Sequence, residues 1–198
     1  MSKTHREYFN QIAPEWNAKV SDDPMLQDYL IRFGVSTGDR VLDVGAGTGR
    51  MTAHLVDLVG PQGLVVAEDI SDQMLREAKR LLRGKTAYFT CADACTLSFV
   101  DDSFDKVICF STFPHIRQPL AALQQMQRIL RPGGKLLILH TCCSRQLNQF
   151  HASLNGVVCQ DRLPRAQDMI PLLQQAGFKK KEIIENRELY WVETIKED

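Results

Sequence analysis

The chain has 198 residues, enough for one well-cored α/β domain and short for two. Lys+Arg and Asp+Glu each total 24, so the formal net charge is zero and no overall basic excess points to nucleic acid or an anionic membrane surface. The hydrophobic fraction is an ordinary 44%, no apolar run approaches the length of a membrane span, and the six cysteines include no C-x-x-C pair, which argues against a zinc knuckle or a thioredoxin motif.

The opening residues Met1–Glu7 hold no apolar signal-peptide core, and with the scattered cysteines read as reduced thiols they place the protein in the cytoplasm. Met25, Leu26, Tyr29, Leu30 and Phe33 fall at helical spacing, predicting a helix over Pro24–Phe33 that Gly34 and Gly38 end. A strand follows at Arg40–Val44, then a helix from about Thr48 to Val59, stopped by Gly60-Pro61. Leu64–Ala67 is the second strand, Ser71 an N-cap for a helix ending near Gly84, and Ala87–Cys91 the third strand. Lys106–Phe110 is the fourth strand, and Leu120, Leu123, Met126 and Leu130 mark one face of the next helix. Arg131–Gly134 (RPGG) breaks that helix before a fifth strand at Lys135–His140. An irregular stretch, Thr141–Leu163, precedes a helix at about Arg165–Ala176 and two closing strands near Lys180–Glu185 and Leu189–Ile195. Repeated strand–helix alternation implies one α/β domain with a mostly parallel sheet covered on both faces.

Val41–Gly49 (VLDVGAGTG) is the most informative segment. A buried strand reaches Asp43 at its carboxyl end, and Gly45, Gly47 and Gly49 remove the Cβ atoms that would keep a ligand off the backbone. The dinucleotide fingerprint G-x-G-x-x-G is disfavoured, because its third glycine position, counted from Gly45, is Arg50. The run resembles motif I of the class I S-adenosylmethionine-dependent methyltransferases. Three later segments resemble that family in the same order. They are Val65–Ser71 (VVAEDIS), then Cys91–Asp105 (CADACTLSFVDDSFD), then Arg128–Leu136 (RILRPGGKL). Tyr8–Trp16 also resembles the opening of many small-molecule methyltransferases.

The resemblance implies a Rossmann-like fold with a seven-stranded, mostly parallel sheet, S-adenosylmethionine as cofactor, and a single domain over 1–198. Residues 1–36 would be a helical lid and 141–164 an irregular insert on the substrate side. It implies cofactor contacts from Asp43, Gly45, Ala46, Gly47, Gly49, Met74 and Phe110. Asp69, 20 residues after Gly49, would accept from the ribose hydroxyls, with Glu68 as the runner-up one strand slip away. Ile70 would pack on one adenine face. Asp93 would accept from the adenine amino group and the Ala94 amide would donate to a ring nitrogen. Tyr8 and Trp16 are lid candidates, with core packing as the equal alternative.

The acceptor is less legible. Base-modifying amino-methyltransferases often carry [ND]-P-P-[YF] after the fourth strand, whereas this chain has Phe110–His115 (FSTFPH), which with zero net charge disfavours a nucleic-acid substrate. A small-molecule acceptor is the expectation. An RNA base methyltransferase and a non-catalytic cofactor-binding regulatory module are the alternatives. His115 follows the fourth strand and His140 ends the fifth, at the rim where the methyl group must sit, and either could act as general base. His115 is the first choice. Jointly with His151 they could hold a metal, although no compact ligand spacing supports it. Phe113, His151 and Tyr190 are substrate-side candidates; Asp161 could approach the same space, His54 is assigned to packing or surface, and His5 is set aside in the leader. The chain carries no signal of oligomeric state.

Overall fold

The computed structural model describes residues 4–20 and 23–197. Residues 1–3, 21–22 and 198, which include parts of the expected leader and lid, lie outside the described residues. Seven strands form one sheet in the order β3-β2-β1-β4-β5-β7-β6. They are β1 (Arg40–Val44), β2 (Leu64–Asp69), β3 (Tyr88–Cys91), β4 (Phe104–Phe110), β5 (Leu130–His140), β6 (Phe178–Glu185) and β7 (Tyr190–Lys196). β1 to β5 pair in parallel, and β7 inserts antiparallel between β5 and β6.

Every residue of β4 is buried, as a strand covered on both faces requires. The period-2 alternation divides it cleanly. Val107 and Cys109 join the core beneath the late helices, while Ile108 and Phe110 join the opposite one. The first core receives Leu123 and Met126 of α5 (Pro119–Ile129) and Leu173 of α7 (Ile170–Gln175). The second receives Leu30 and Phe33 of α2 (Leu26–Phe33) and Met51 and Leu55 of α3 (Arg50–Val59). α1 (His5–Lys19) packs on α4 (Asp72–Leu81). It starts at a capping box in which Thr4 and Glu7 satisfy each other's backbone amides.

The chain runs from β1 out to β3 and then returns to β4 on the other side of β1. The carboxyl ends of β1 and β4 therefore diverge, and this switch point is where open α/β sheets bind ligands.

Three segments differ from the sequence-based expectation. β5 begins at Leu130, so Arg131–Gly134 is a bulge within the strand and not a break before it. Leu130 pairs with Phe104, and pairing resumes at Lys135 with Lys106. Gly133 takes φ +73°, and a Cβ on Gly134 would lie 2.7 Å from the Arg131 carbonyl oxygen. β2 continues through Glu68 and Asp69, which stay paired with Thr90 and Cys91 of β3 while their carboxylates accept from the Gly45 and Gly47 amides of the neighbouring turn. Third, the segment expected to be irregular holds the helix α6 (Ser144–Ser153) and a one-turn 3₁₀ helix at Val157–Gln160. The inward stripe of α6 is Ser144, Leu147 and His151, too polar to register as an apolar period.

Candidate active site

The β1–α3 turn forms the floor of a cavity of about 340 Å³, large enough for a small ligand. Asp43, Gly45, Ala46 and Gly47 line it from β1, and Glu68, Asp69 and Ile70 from β2. Met74, Asp93, Ala94, Phe110 and His115 complete the positions expected from the sequence, and Trp16 closes over them from α1.

Asp69 organises the turn. One carboxylate oxygen accepts from the Gly47 amide at 2.8 Å and the other from the Ser71 amide at 2.8 Å. Ser71 in turn caps α4 by accepting from the Met74 amide at 3.1 Å. Asp43 accepts from the Thr52 hydroxyl at 2.6 Å through Oδ2, while its buried Oδ1 has no partner. Burial pushes the Asp43 carboxyl up to about 7 and Asp69 up to about 6, the latter held down in part by its two amide donors. Burial also raises Glu68 well above the usual carboxylate range, with neighbouring Asp69 adding to it. Asp43, Glu68 and Asp69 thus bring three buried carboxyls onto one wall, each made easier to protonate by that burial. Asp93 accepts from the Cys95 amide at 2.8 Å and caps the one-turn 3₁₀ helix Ala94–Thr96.

The glycines of the turn do different things. A Cβ on Gly45 would lie 2.1 Å from Thr112 Cγ2, because the Thr112 hydroxyl donates to the Gly45 carbonyl at 2.9 Å. Gly47 has φ +56°, and an added Cβ there would meet no protein atom within 4 Å, so its backbone faces the cavity. Gly49 is absent from the cavity wall. At φ +85° it lets α3 and α4 meet, and a Cβ there would sit 3.0 Å from Ala78 Cβ. Its place in the fold is thus one of packing, away from the cavity wall where the sequence had put it. Across the cavity Ser111 holds φ +53°, an unusual backbone state for a side-chain-bearing residue, at the carboxyl end of β4.

On the other side His5 and His115 line the cavity, and Asp161 stands behind them and joins them. Its Oδ2 lies 2.6 Å from His115 Nδ1, and both its oxygens lie 2.9 Å from His5 Nε2. Although burial alone would raise it, hydrogen bonds to His115 and His5 hold the Asp161 carboxyl well below the usual carboxylate range. Phe9 packs edge-on against His115 at 5.0 Å. α1 is pinned in place by Asn17, which accepts from the Thr48 hydroxyl, and by Asn10, which accepts from the Ser71 hydroxyl at 2.6 Å.

Other expected acceptor-side residues lie elsewhere. His140 is buried edge-on against Tyr190 at 5.4 Å, off the cavity wall, and burial pushes it down to about 3. A histidine that stays neutral and enclosed is poorly placed to serve as the base. Tyr190 and Phe113 belong to the core, and Tyr8 packs edge-on against Phe9 at 5.3 Å without reaching the cavity wall. His151 stands 5.0 Å from the His115 ring, off the wall, with Nδ1 3.3 Å from the Asp161 carbonyl oxygen. The expected His115, His140 and His151 set does not converge. His5, set aside in the sequence, joins the cluster instead, brought there by the capped start of α1.

The family profile described as "Methyltransferase domain" matches residues 41–134. The chain is 31% identical over 193 residues to the O-methyltransferase cnsE of Penicillium expansum, covering 93% of this chain and 68% of that one. It is 46% identical over 110 residues to the ubiquinone/menaquinone biosynthesis C-methyltransferase UbiE of Pseudomonas putida, covering 54% of this chain but only 43% of that one. A crystal structure of an S-adenosylmethionine-dependent methyltransferase from Aquifex aeolicus superposes with a TM-score of 0.74 at 21% identity, covering 98% of this chain and 99% of that one.

The chain belongs to the class I S-adenosylmethionine-dependent methyltransferases. Its fold is the Rossmann-like seven-stranded sheet of that family. The cavity suits the family's cofactor on two counts: Asp43 Oδ1, buried without a partner, is an acceptor for an ammonium group, and the open approach at Gly47 admits a ligand onto the backbone.

Proposed function

We propose that the protein methylates a small molecule bearing an ionisable hydroxyl, with His115 as the general base. The observation that carries this reading is His115 on the cavity wall with Nδ1 2.6 Å from Asp161. A carboxylate accepting from Nδ1–H fixes the tautomer in which Nε2 carries the lone pair, the arrangement that makes an imidazole a base. A phenol or enol fits the two similar proteins, one named for O- and the other for C-methylation, because loss of one proton makes both its oxygen and an adjacent carbon nucleophilic.

The cofactor supplies a methyl group already activated by its sulfonium, so the protein's task is in-line alignment, exclusion of water and proton removal. Asp69 and Ile70 are assigned to the ribose and one adenine face, Asp93 and the Ala94 amide to the adenine edge, and Asp43 to the ammonium. Met74 and Phe110 pack around them. We assign the acid at the ribose to Asp69 and not Glu68, because Asp69 ends the strand and is aimed by the Gly47 and Ser71 amides. Trp16, on a helix fastened across the turn, acts as a lid over one domain spanning the whole chain.

A nucleic-acid acceptor is disfavoured by the zero net charge and by the FSTFPH run after β4. Cytoplasmic residence is supported by six free cysteines and by the absence, among the described residues, of a helix long and apolar enough to cross a membrane. The test is turnover of His115→Ala against a panel of phenols and enols. Unchanged kcat on the acceptor that the wild type uses best would remove the base from the mechanism.

A further inference from the structure

A base needs one carboxylate behind one imidazole, and His115 with Asp161 already provides that. His5 is then surplus: a second imidazole, from a different element, aims Nε2 at the same two oxygens. One donor atom from each of His5, His115 and Asp161 lies within 4.8 Å of the other two. His5 and His115 also line the cavity, and Asp161 stands beside them off its wall, so the cluster borders the space left for an acceptor.

We propose that His5 Nε2, His115 Nδ1 and an Asp161 carboxylate oxygen bind a divalent transition-metal ion, with the remaining coordination position facing the methyl acceptor. Two neutral imidazoles and one carboxylate are a donor set suited to Zn²⁺ or Fe²⁺ and not to Mg²⁺ or Ca²⁺, which take oxygen. Metal bonds of about 2.0 Å at tetrahedral angles put donor atoms about 3.3 Å apart. The present separations of 2.6 Å (His115–Asp161) and 2.9 Å (His5–Asp161) would open by about 0.7 and about 0.4 Å, and the His5–His115 separation, now within 4.8 Å, would settle to a similar value. The surroundings supply an outer layer: His151 beside the Asp161 carbonyl, and Arg162, which donates to that carbonyl at 2.9 Å and holds the segment. The exposed Arg162 guanidinium also sets a positive charge near the cluster, which weakens but does not block a site with one carboxylate.

Proton accounting is simple. Each imidazole turns its hydrogen-bonding nitrogen toward the metal and moves its proton to the other ring nitrogen, so loading the site releases none. His115 Nε2 then carries a hydrogen and is no longer a base. The acceptor's hydroxyl proton leaves to solvent when its oxygen ligates the metal. The metal-free pair and the metal-bound triad are two states of one cluster, and the second selects acceptors whose hydroxyl or thiol can ligate a metal.

The test needs no methyl transfer and therefore fails or succeeds apart from the proposed function. Full-length, cofactor-free protein is titrated with Zn²⁺ by calorimetry and with Co²⁺ by visible absorbance. The expected result is one ion per chain at micromolar concentration or tighter, with ligand-field bands of a four- or five-coordinate Co²⁺. His5→Ala and Asp161→Asn are expected to lose more than about 100-fold in affinity, beyond what loss of an outer partner gives. His54→Ala, in α3 and outside the cluster, is expected to bind normally. Near-ultraviolet circular dichroism of Asp161→Asn verifies its fold, and His5→Ala serves as the second variant should that one unfold. No binding by the wild type, binding unchanged in both variants, or a thiolate charge-transfer band placing Co²⁺ on cysteines would each overturn the proposal.

Discussion

The two walls of the cavity are built on different plans. The wall assigned above to the cofactor uses neighbouring strand ends: Asp43 lies one residue before the end of β1, Asp69 closes β2 and Asp93 follows β3, and their carboxylates accept from Thr52, from Gly47 and Ser71, and from Cys95. The wall assigned to the acceptor is assembled from the start of α1 and the segment after β4, backed by Asp161 from the stretch between α6 and α7. His5 and Asp161 meet across 156 positions of sequence. The first wall is dictated by local spacing and sheet topology, whereas the second exists only once the whole chain has folded. On the function proposed above, the first kind of wall binds the ligand common to the family and the second selects the acceptor.

If that division is real, variants should separate binding from turnover. His115→Ala should lower kcat by about 10²- to 10⁴-fold, the range that a positioned base supplies. Its affinity for S-adenosylhomocysteine should stay within a few-fold of wild type, measured by calorimetry. Comparable losses in both would show that the walls do not act separately. Asp69→Ala should do the converse. It removes the acceptor for the Gly47 and Ser71 amides and the proposed ribose contact, and should weaken S-adenosylhomocysteine by about 100-fold, since hydrogen bonds to a charged group are worth about 1.5–3 kcal/mol each. Glu68→Gln should weaken it far less, and the reverse order would move the ribose to Glu68.

Gly49→Ala sharpens the comparison from the side of the fold. Its Cβ would sit 3.0 Å from Ala78 Cβ at φ +85°, so the substitution should destabilise the protein by about 1–3 kcal/mol through overpacking and backbone strain. Denaturant unfolding reads that loss. Cofactor affinity at low temperature should change little, because Gly49 does not line the cavity.

The sequence shows the same contrast. The acids and glycines of the cofactor wall were readable because their spacing follows from strand, turn and helix geometry. Gly49 was read as a cofactor contact, whereas in the fold it lies off the cavity wall and against Ala78; a glycine needed for ligand approach and one needed for helix contact look alike in a sequence. His115 was readable as a residue following β4, but its partner was not fixed by any spacing. His5 was passed over because nothing local distinguishes it from an ordinary leader residue; only the Thr4–Glu7 capping box hinted that an ordered helix begins there. α6 escaped because its inward positions, Ser144 and His151, are polar and are buried among partners far away, Ser144 donating to Glu185.

The smallest expected effect tests Asp43 and is a matter of sign. Burial raises this carboxyl to about 7, so in the cofactor-free fold it is protonated below that pH and ionised above it. Its usual value is 3.8, so the burial penalty on stability is absent below about 4 and fully present above about 7; cofactor-free stability from this group rises as pH falls. A cationic ligand does the opposite, because the ammonium gains most when Asp43 is ionised. The stabilisation by S-adenosylhomocysteine should therefore shrink as pH drops from 8 to 6, by up to about tenfold in affinity at one unit below the pKa. Asp69, raised only to about 6, titrates lower and contributes little of that change. Thermal unfolding with and without ligand across this range reads the slope, and Asp43→Asn should flatten it. A wild-type slope that persists in Asp43→Asn would assign the ammonium to another acid of the wall, with Glu68 next in line.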